Sequence, residues 1–149
     1  MFQFWMQEAL TLAEQARDLD EVPVGAVVVM NDQIIGRGFN RPVSRHDPTA
    51  HAEIEALRDA AQHMGNYRLP GSSLFVTVEP CTMCAGALIH ARVGNLVFGA
   101  REPRSGAVKS TASVLENAPL NHRVGVTEGV LADECGALLT AFFQSRRGR

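Results

Sequence analysis

Residues 79–84 read Glu-Pro-Cys-Thr-Met-Cys, which places two of the chain's three cysteines three positions apart, directly after a proline. Cysteines at i and i+3 face the same way on a helix, and a helix N-terminus favours thiolate over thiol. Two thiolates there make half of a metal site, but strand, loop, CxxC and helix also describe a thioredoxin-like dithiol. What decides between these readings is whether other residues can complete the site. His51 stands at the start of a second predicted helix, followed two residues later by Glu53. From a first helical turn both side chains can reach a point beyond the helix end. Two helix starts that each follow a sheet element can converge at one edge of the sheet, the usual place for a site in open α/β folds. His51, Cys81 and Cys84 then give three ligands, which leave zinc a fourth position for water and mark a catalytic rather than a structural site. Two thiolates and an imidazole favour zinc among divalent metals. Cys135 sits within an apolar segment and reads as a small core residue. His46, His63, His90 and His122 remain as fourth ligands for a structural site, though none has a local metal-ligand pattern.

The elements that must position these residues follow from periodicity. Phe4 to about Arg17 carries Met6, Ala9, Leu10 and Ala13 at helical spacing. Val24–Met30 is a nearly continuous apolar run, as in a buried strand. Asn31-Asp32 is a turn signal, and 33–40 pairs back as a hairpin. A polar loop over 41–49 ends in Asp47-Pro48-Thr49, candidate cap residues for a helix from about Ala50 to Met64, with Gly65 and Asn66 at its C-terminal end. Strands follow at Ser73–Val78 and Asn95–Ala100, with a fifth at Val124–Glu128. Between the first two, a helix opens at Pro80 and runs to about Ala91. Thr111–Leu115 is a candidate helical turn. Leu131–Arg147 forms a last helix with apolar residues on more than one face: Leu138, Leu139, Phe142 and Phe143. Strands alternating with helices in the second half indicate parallel pairing. The expected architecture is a three-layer α/β/α sandwich around a mixed five-stranded sheet, with residues 1–149 as a single domain.

Composition narrows the function classes. The chain has 149 residues, 46% apolar and 20% charged, the profile of a globular protein. It has no apolar run long enough to span a membrane, and its first residues do not read as a signal peptide. An odd cysteine count, with two thiols too close for a framework disulfide, points to a reducing, cytoplasmic compartment. The net charge of −2 does not announce nucleic-acid binding. Even so, Arg101, Arg104 and Lys109 gather in one segment and the chain ends Ser-Arg-Arg-Gly-Arg, both readable as solvated surface.

His51-x-Glu53 followed by Pro80-Cys81-x-x-Cys84 is the signature of zinc-dependent nucleobase deaminases. Each half alone is weak; in order, and at two helix starts, they are specific. The likeness extends over nearly the whole chain: VPVGAV (22–27), FNRP (39–42), HDPTAHAEI (46–54), NYRL (66–69), VEPCTMCAGALIHAR (78–92), VFGAR (97–101), NHRV (121–124) and LADEC (131–135). In these segments the sequence resembles the bacterial tRNA adenosine deaminases. The resemblance implies the cytidine deaminase-like fold, one zinc per chain, a homodimer, and a tRNA anticodon stem-loop as partner, with neither DNA nor membrane. The implied reaction converts the wobble adenosine to inosine.

The resemblance also implies roles for individual residues. His51, Cys81 and Cys84 would hold zinc, and Glu53 would carry protons between water, the ring nitrogen N1 and the departing amine. Asn40 would recognise the flipped base, Ala52 would offer main-chain contacts, and Val24 and Pro42 would wall the pocket. Arg101 and Glu102 would hold ribose and phosphates. Phe143 and Arg146 would meet the anticodon loop, and Tyr67 and Arg68 a substrate on the neighbouring subunit. Two positions depart from the family's pattern. Glu102 stands where relatives often have aspartate, and Asp20 where they can have a basic residue. Three other readings compete: the same zinc chemistry on a free base or nucleoside, a non-catalytic zinc scaffold, and a thioredoxin-like oxidoreductase.

Overall fold

The computed structural model describes residues 1–116 and 121–147. Gly148 and Arg149 of the basic tail lie outside the described residues. The elements run in the order Phe2–Asp18 (α1), Gly25–Met30 (β1), Gln33–Phe39 (β2), Pro42–Arg45 (α2), Ala52–Met64 (α3), Ser73–Val78 (β3), Thr82–His90 (α4), Asn95–Ala100 (β4), Gly125–Glu128 (β5) and Ala132–Arg147 (α5). The five strands form one mixed sheet in the order β2-β1-β3-β4-β5. β1 runs antiparallel to both β2 and β3, while β3, β4 and β5 are parallel.

Alternation along the strands divides the core into two layers, since successive side chains leave a strand on opposite faces. Val27 and Val29 of β1, Phe75 of β3 and Val97 of β4 pack beneath α1 and the Cys135 side of α5. Ala26 and Val28, Leu74 and Val76, and Leu96 and Phe98 face α3 and α4 on the other side. The result is the expected three-layer α/β/α sandwich around a mixed five-stranded sheet. The near-continuous apolar runs of the three central strands follow from burial on both faces.

Three local expectations need correction. The segment 41–49 is not loop throughout, because Pro42 opens the short helix α2, where a proline suits the first turn. Nor does α3 start behind Asp47. His51 is its N-cap, in an extended conformation. Asp47 instead accepts hydrogen bonds from the Thr49 N–H at 2.9 Å and the Thr49 hydroxyl at 2.8 Å, fixing the turn that leads into His51. These bonds also hold the Asp47 carboxyl below its ordinary range. Thr111–Leu115 contains no helix, and the turn in this stretch covers residues 114–116.

Candidate active site

Because β1 is antiparallel to its neighbours, its start lies beside the end of β2, with Gly25 opposite Phe39. The Gly25 N–H also donates to Thr77 Oγ1 at 3.2 Å, tying that start to the end of β3. Val24, Asn40, Glu79 and Arg101 therefore all leave the sheet at one edge. α3 reaches the same edge from one face. It lies almost in contact with β2, where Gly38 leaves no room for a side chain: a Cβ there would meet the Ala52 carbonyl oxygen at 2.4 Å. α4 starts immediately after β3.

Each helix places a candidate metal ligand at its N-cap, His51 for α3 and Cys81 for α4. Nδ1 of His51 lies 3.6 Å from the sulfur of Cys81 and 3.6 Å from that of Cys84. The donor atoms of these three residues lie within 4.8 Å of one another, and among the described residues they are the group able to hold a metal ion. No other histidine joins them. His122, for example, bonds the Val93 carbonyl at 2.7 Å. Cys135 is 1% exposed and belongs to the core beneath α1, as expected. All three cysteines are free.

The electrostatics suit both metal binding and proton transfer. A hydrogen bond from the Cys84 thiol draws the Cys81 pKa down to about 3, with His51 acting in the same direction against burial. That bond and burial push Cys84 up. The hydrogen bond with Cys81 raises His51. Glu53 is 4% exposed, and burial pushes its carboxyl up to about 7, with the neighbouring Cys81 charge adding to the effect. A carboxyl near neutrality can both accept and return a proton.

Above these groups lies a cavity of about 180 Å³, whose lining includes Val24, Asn40, His51, Glu53 and Cys81. It shares Glu102, Ser105, Leu139 and Phe143 with an outer cavity of about 730 Å³, where Arg101, Arg104 and Arg146 join. Of the residues singled out in the sequence, Cys84 and Ala52 are fully buried, and Pro42 lines neither cavity. Phe143 is 43% exposed and faces the cleft rather than the core. Two arginines are already engaged. Arg101 forms a two-pronged pair with Glu128 at 2.8 and 3.0 Å. Arg146 lies over the Phe142 ring and bonds Asp20. Tyr67 is exposed beneath the Arg68 guanidinium.

Sequence reasoning missed Leu139, Ser105 and Glu79. For Leu139 a signal existed. The doubled apolar pattern of α5 is two stripes, Cys135, Leu138 and Phe142 toward the protein, and Leu139 and Phe143 toward the cleft. Glu79 carried no such signal. It is 4% exposed and accepts N–H bonds from Glu102 at 3.0 Å, Val108 at 3.1 Å, Lys109 at 2.7 Å and Ser110 at 2.9 Å. Burial would raise its pKa, but the bonds from Ser110, Lys109 and Glu102 prevail and hold it low. On the opposite rim the buried Glu21 accepts from the N–H groups of Val43 at 3.2 Å and Ser44 at 2.6 Å.

The family model of MafB19-like deaminases matches residues 2–147, so fold and site together define a deaminase. The chain is 52% identical over 143 residues to the tRNA-specific adenosine deaminase of Haemophilus influenzae, covering 95% of this chain and 83% of that one. Against the Bacillus subtilis tRNA-specific adenosine deaminase it is 41% identical over 145 residues, with 97% and 90% covered. Among solved structures, one from a study of A-to-I editing by tRNA deaminases at the wobble position superposes with a TM-score of 0.89 at 42% identity, covering 91% of this chain and 99% of that one. A guanine deaminase from Nitrosomonas europaea superposes with a TM-score of 0.77 at 29% identity, with 94% and 83% covered. The chain belongs to the tRNA-specific adenosine deaminase family.

Proposed function

We propose that this protein is a zinc-dependent hydrolase that converts the wobble adenosine of a tRNA anticodon to inosine. The observation that carries the mechanism is the placement of the buried Glu53 carboxyl beside a His-Cys-Cys donor set at the floor of a small cavity. The donor set fits zinc. Tetrahedral zinc with bonds of ~2.3 Å to sulfur and ~2.0–2.1 Å to nitrogen has S···N edges of about 3.5 Å, against the 3.6 Å separations here. His51, Cys81 and Cys84 would hold one ion per chain. Bound there, zinc would supply the acidity that makes a water nucleophilic near neutral pH.

Glu53 takes a proton from the attacking water and passes it to N1 of adenine. As the C6–N6 bond breaks, it takes the remaining proton from the new C6 hydroxyl and delivers it to the departing amine, so ammonia leaves and the C6 carbonyl of inosine remains. Free of the metal, its carboxylate can serve each transfer in turn. Asn40 meets the base in the inner cavity, with Val24 as an apolar wall. Ala52 offers its main chain. Glu102 and the loop after it face the ribose side. A flipped base in a tight pocket with flanking nucleotides outside is how deaminases reach a target atom, and the outer cavity has the arginines and aromatic ring suited to a single-stranded loop. Phe143 and Arg146 meet that loop. Arg101 contacts phosphate only by giving up part of its pairing with Glu128.

Further parts of the reading rest on family resemblance. The whole chain forms one deaminase domain, two copies form the working dimer, and the exposed Tyr67 and Arg68 serve the RNA on the partner. The compartment is the cytoplasm. Among the described residues no helix is long and apolar enough to cross a membrane. The test is to incubate zinc-loaded protein with an anticodon stem-loop carrying a wobble adenosine, beside free adenosine, cytidine and guanine, scoring each by mass spectrometry. Inosine at the wobble position alone is expected. Conversion of guanine with the stem-loop untouched would move the protein toward the chemistry named for its Nitrosomonas europaea neighbour.

A further inference from the structure

The segment from Arg101 to Ser110 forms one wall of the cleft, yet it contains neither helix nor strand. Its turns bring the N–H groups of Glu102, Val108, Lys109 and Ser110 to one point, the Glu79 carboxylate. The Ser110 hydroxyl adds a further bond to Oε1. Converging main-chain donors of this kind form an anion nest, and here the anion is the protein's own side chain. Gly106 closes the arrangement, because a Cβ there would lie 2.3 Å from Glu79 Cδ. The next residue, Ala107, donates its N–H to the Pro80 carbonyl at 2.8 Å. Residues 79–81 thus carry the anchor of the wall, a second tie to it, and the metal-ligating Cys81.

We infer that Glu79 is a positioning residue: its carboxylate sets the wall bearing Glu102 and Ser105 at a fixed distance from the reacting centre, so that the RNA meets a preformed cleft. This rests on the functional reading above. The two oxygens divide the work. Oε2 accepts from Val108, Lys109 and Ser110, and Oε1 from Glu102 and the Ser110 hydroxyl. In Glu79→Gln the amide oxygen can keep the first three. Its NH2 group then faces the Glu102 N–H, donor against donor, while the Ser110 hydroxyl can turn to accept. The substitution therefore releases the cleft wall at Glu102 and leaves the rest of the loop tied.

The experiment compares zinc-loaded wild type and Glu79→Gln by residue-resolved hydrogen exchange, metal content and steady-state kinetics on the stem-loop. The Glu102 amide should exchange about tenfold faster and KM should rise about tenfold, the scale of one hydrogen bond to a charged group. The kcat, the zinc content and the protection of α4 should stay near wild type. Unchanged Glu102 exchange with unchanged KM overturns the inference. So does loss of zinc in step with activity, which would mean that Glu79 acts on the metal helix. Should Glu79→Gln fail to fold, Gly106→Ala pushes the same loop off the same carboxylate and must give the same pattern. A wild type inert on the stem-loop would overturn the functional reading instead, and the exchange contrast would then still decide whether Glu79 tethers Glu102.

Discussion

Substituting Gly38 by alanine should disturb the metal site through the packing of one helix. Gly38 lies on β2 beneath the first turn of α3, the helix that carries His51 and Glu53. A Cβ at Gly38 would stand 2.4 Å from the Ala52 oxygen and 2.5 Å from the Ala56 nitrogen, against a floor of 3.0 Å for real Cβ contacts. Both clashing atoms are backbone, so no side-chain rotation relieves them. The start of α3 must retreat by at least about 0.6 Å, three times the ~0.2 Å within which a metal site must hold its bond lengths. Overpacking of this kind costs about 1–3 kcal/mol, and at this chain length Tm falls by about 2–4 °C for each kcal/mol. The control is Gly36→Ala. It meets the Ala56 oxygen at 2.4 Å and the Ala60 nitrogen at 2.7 Å, one turn further along α3. Thermal melting of the metal-free variants should show similar losses for both. Chelator competition should separate them, with zinc affinity falling about 10–100-fold for Gly38→Ala, the range seen when support behind a metal ligand is lost, and clearly less for Gly36→Ala. Equal zinc affinity in the two variants at equal stability loss would refute the idea that close packing of α3 on β2 sets the position of His51.

Other perturbations test separate parts of the account. Glu53→Gln should keep zinc and fold, by metal analysis and melting, while kcat drops about 10²–10⁴-fold; turnover near wild type would remove Glu53 from the proton path. Cys81→Ser and Cys84→Ser should each lose metal on dialysis, and full occupancy in both would sink the ligand assignment. Phe143→Ala should raise the stem-loop KM about tenfold or more, as expected for a lost stacking partner, with kcat little changed; an unaltered KM would return Phe143 to a packing role. Glu128→Gln should free Arg101, lowering KM and steepening its dependence on salt. Because Arg101 holds the Glu128 carboxyl below its ordinary value, their pairing is complete above ~4.3 and lost only as pH falls through that lowered value. Near neutral pH the release therefore needs the substitution, and no change in KM across a salt series would show that Arg101 stays out of the RNA path.

The donor set was legible in the sequence because its chemistry is rare and local: two thiols at helical spacing, and an imidazole and carboxylate at another helix start. Strand limits were legible because the central strands are buried on both faces and read as unbroken apolar runs. The sheet order was less so. The antiparallel pairing of β1 with β3 comes from the path of the chain through α3, which no short-range pattern records, yet this pairing brings Val24 and Asn40 to the ends of β3 and β4. Asp47 misled for a related reason. A residue able to cap a helix is equally able to close an Asx-type turn, and the extended His51 between them decides which occurs. Glu79 and Glu21 were silent because a buried carboxylate is recognised by the backbone donors around it, and those donors come from a distant loop that sequence alone does not place. Arg101 and Arg146 looked like free cations, but their partners, Glu128 and Asp20, lie 27 and 126 positions away.

The central claim is hydrolytic deamination at a single adenosine, and one measurement addresses it directly. Zinc-loaded protein is given an anticodon stem-loop with a wobble adenosine and a second adenosine in the loop, in water labelled with heavy oxygen, and the digested RNA is read by mass spectrometry. Inosine is expected at the wobble position alone, carrying the heavy oxygen, with one ammonia released for each. Unchanged RNA from a protein shown to hold its metal, or inosine spread without regard to position, would contradict the claim.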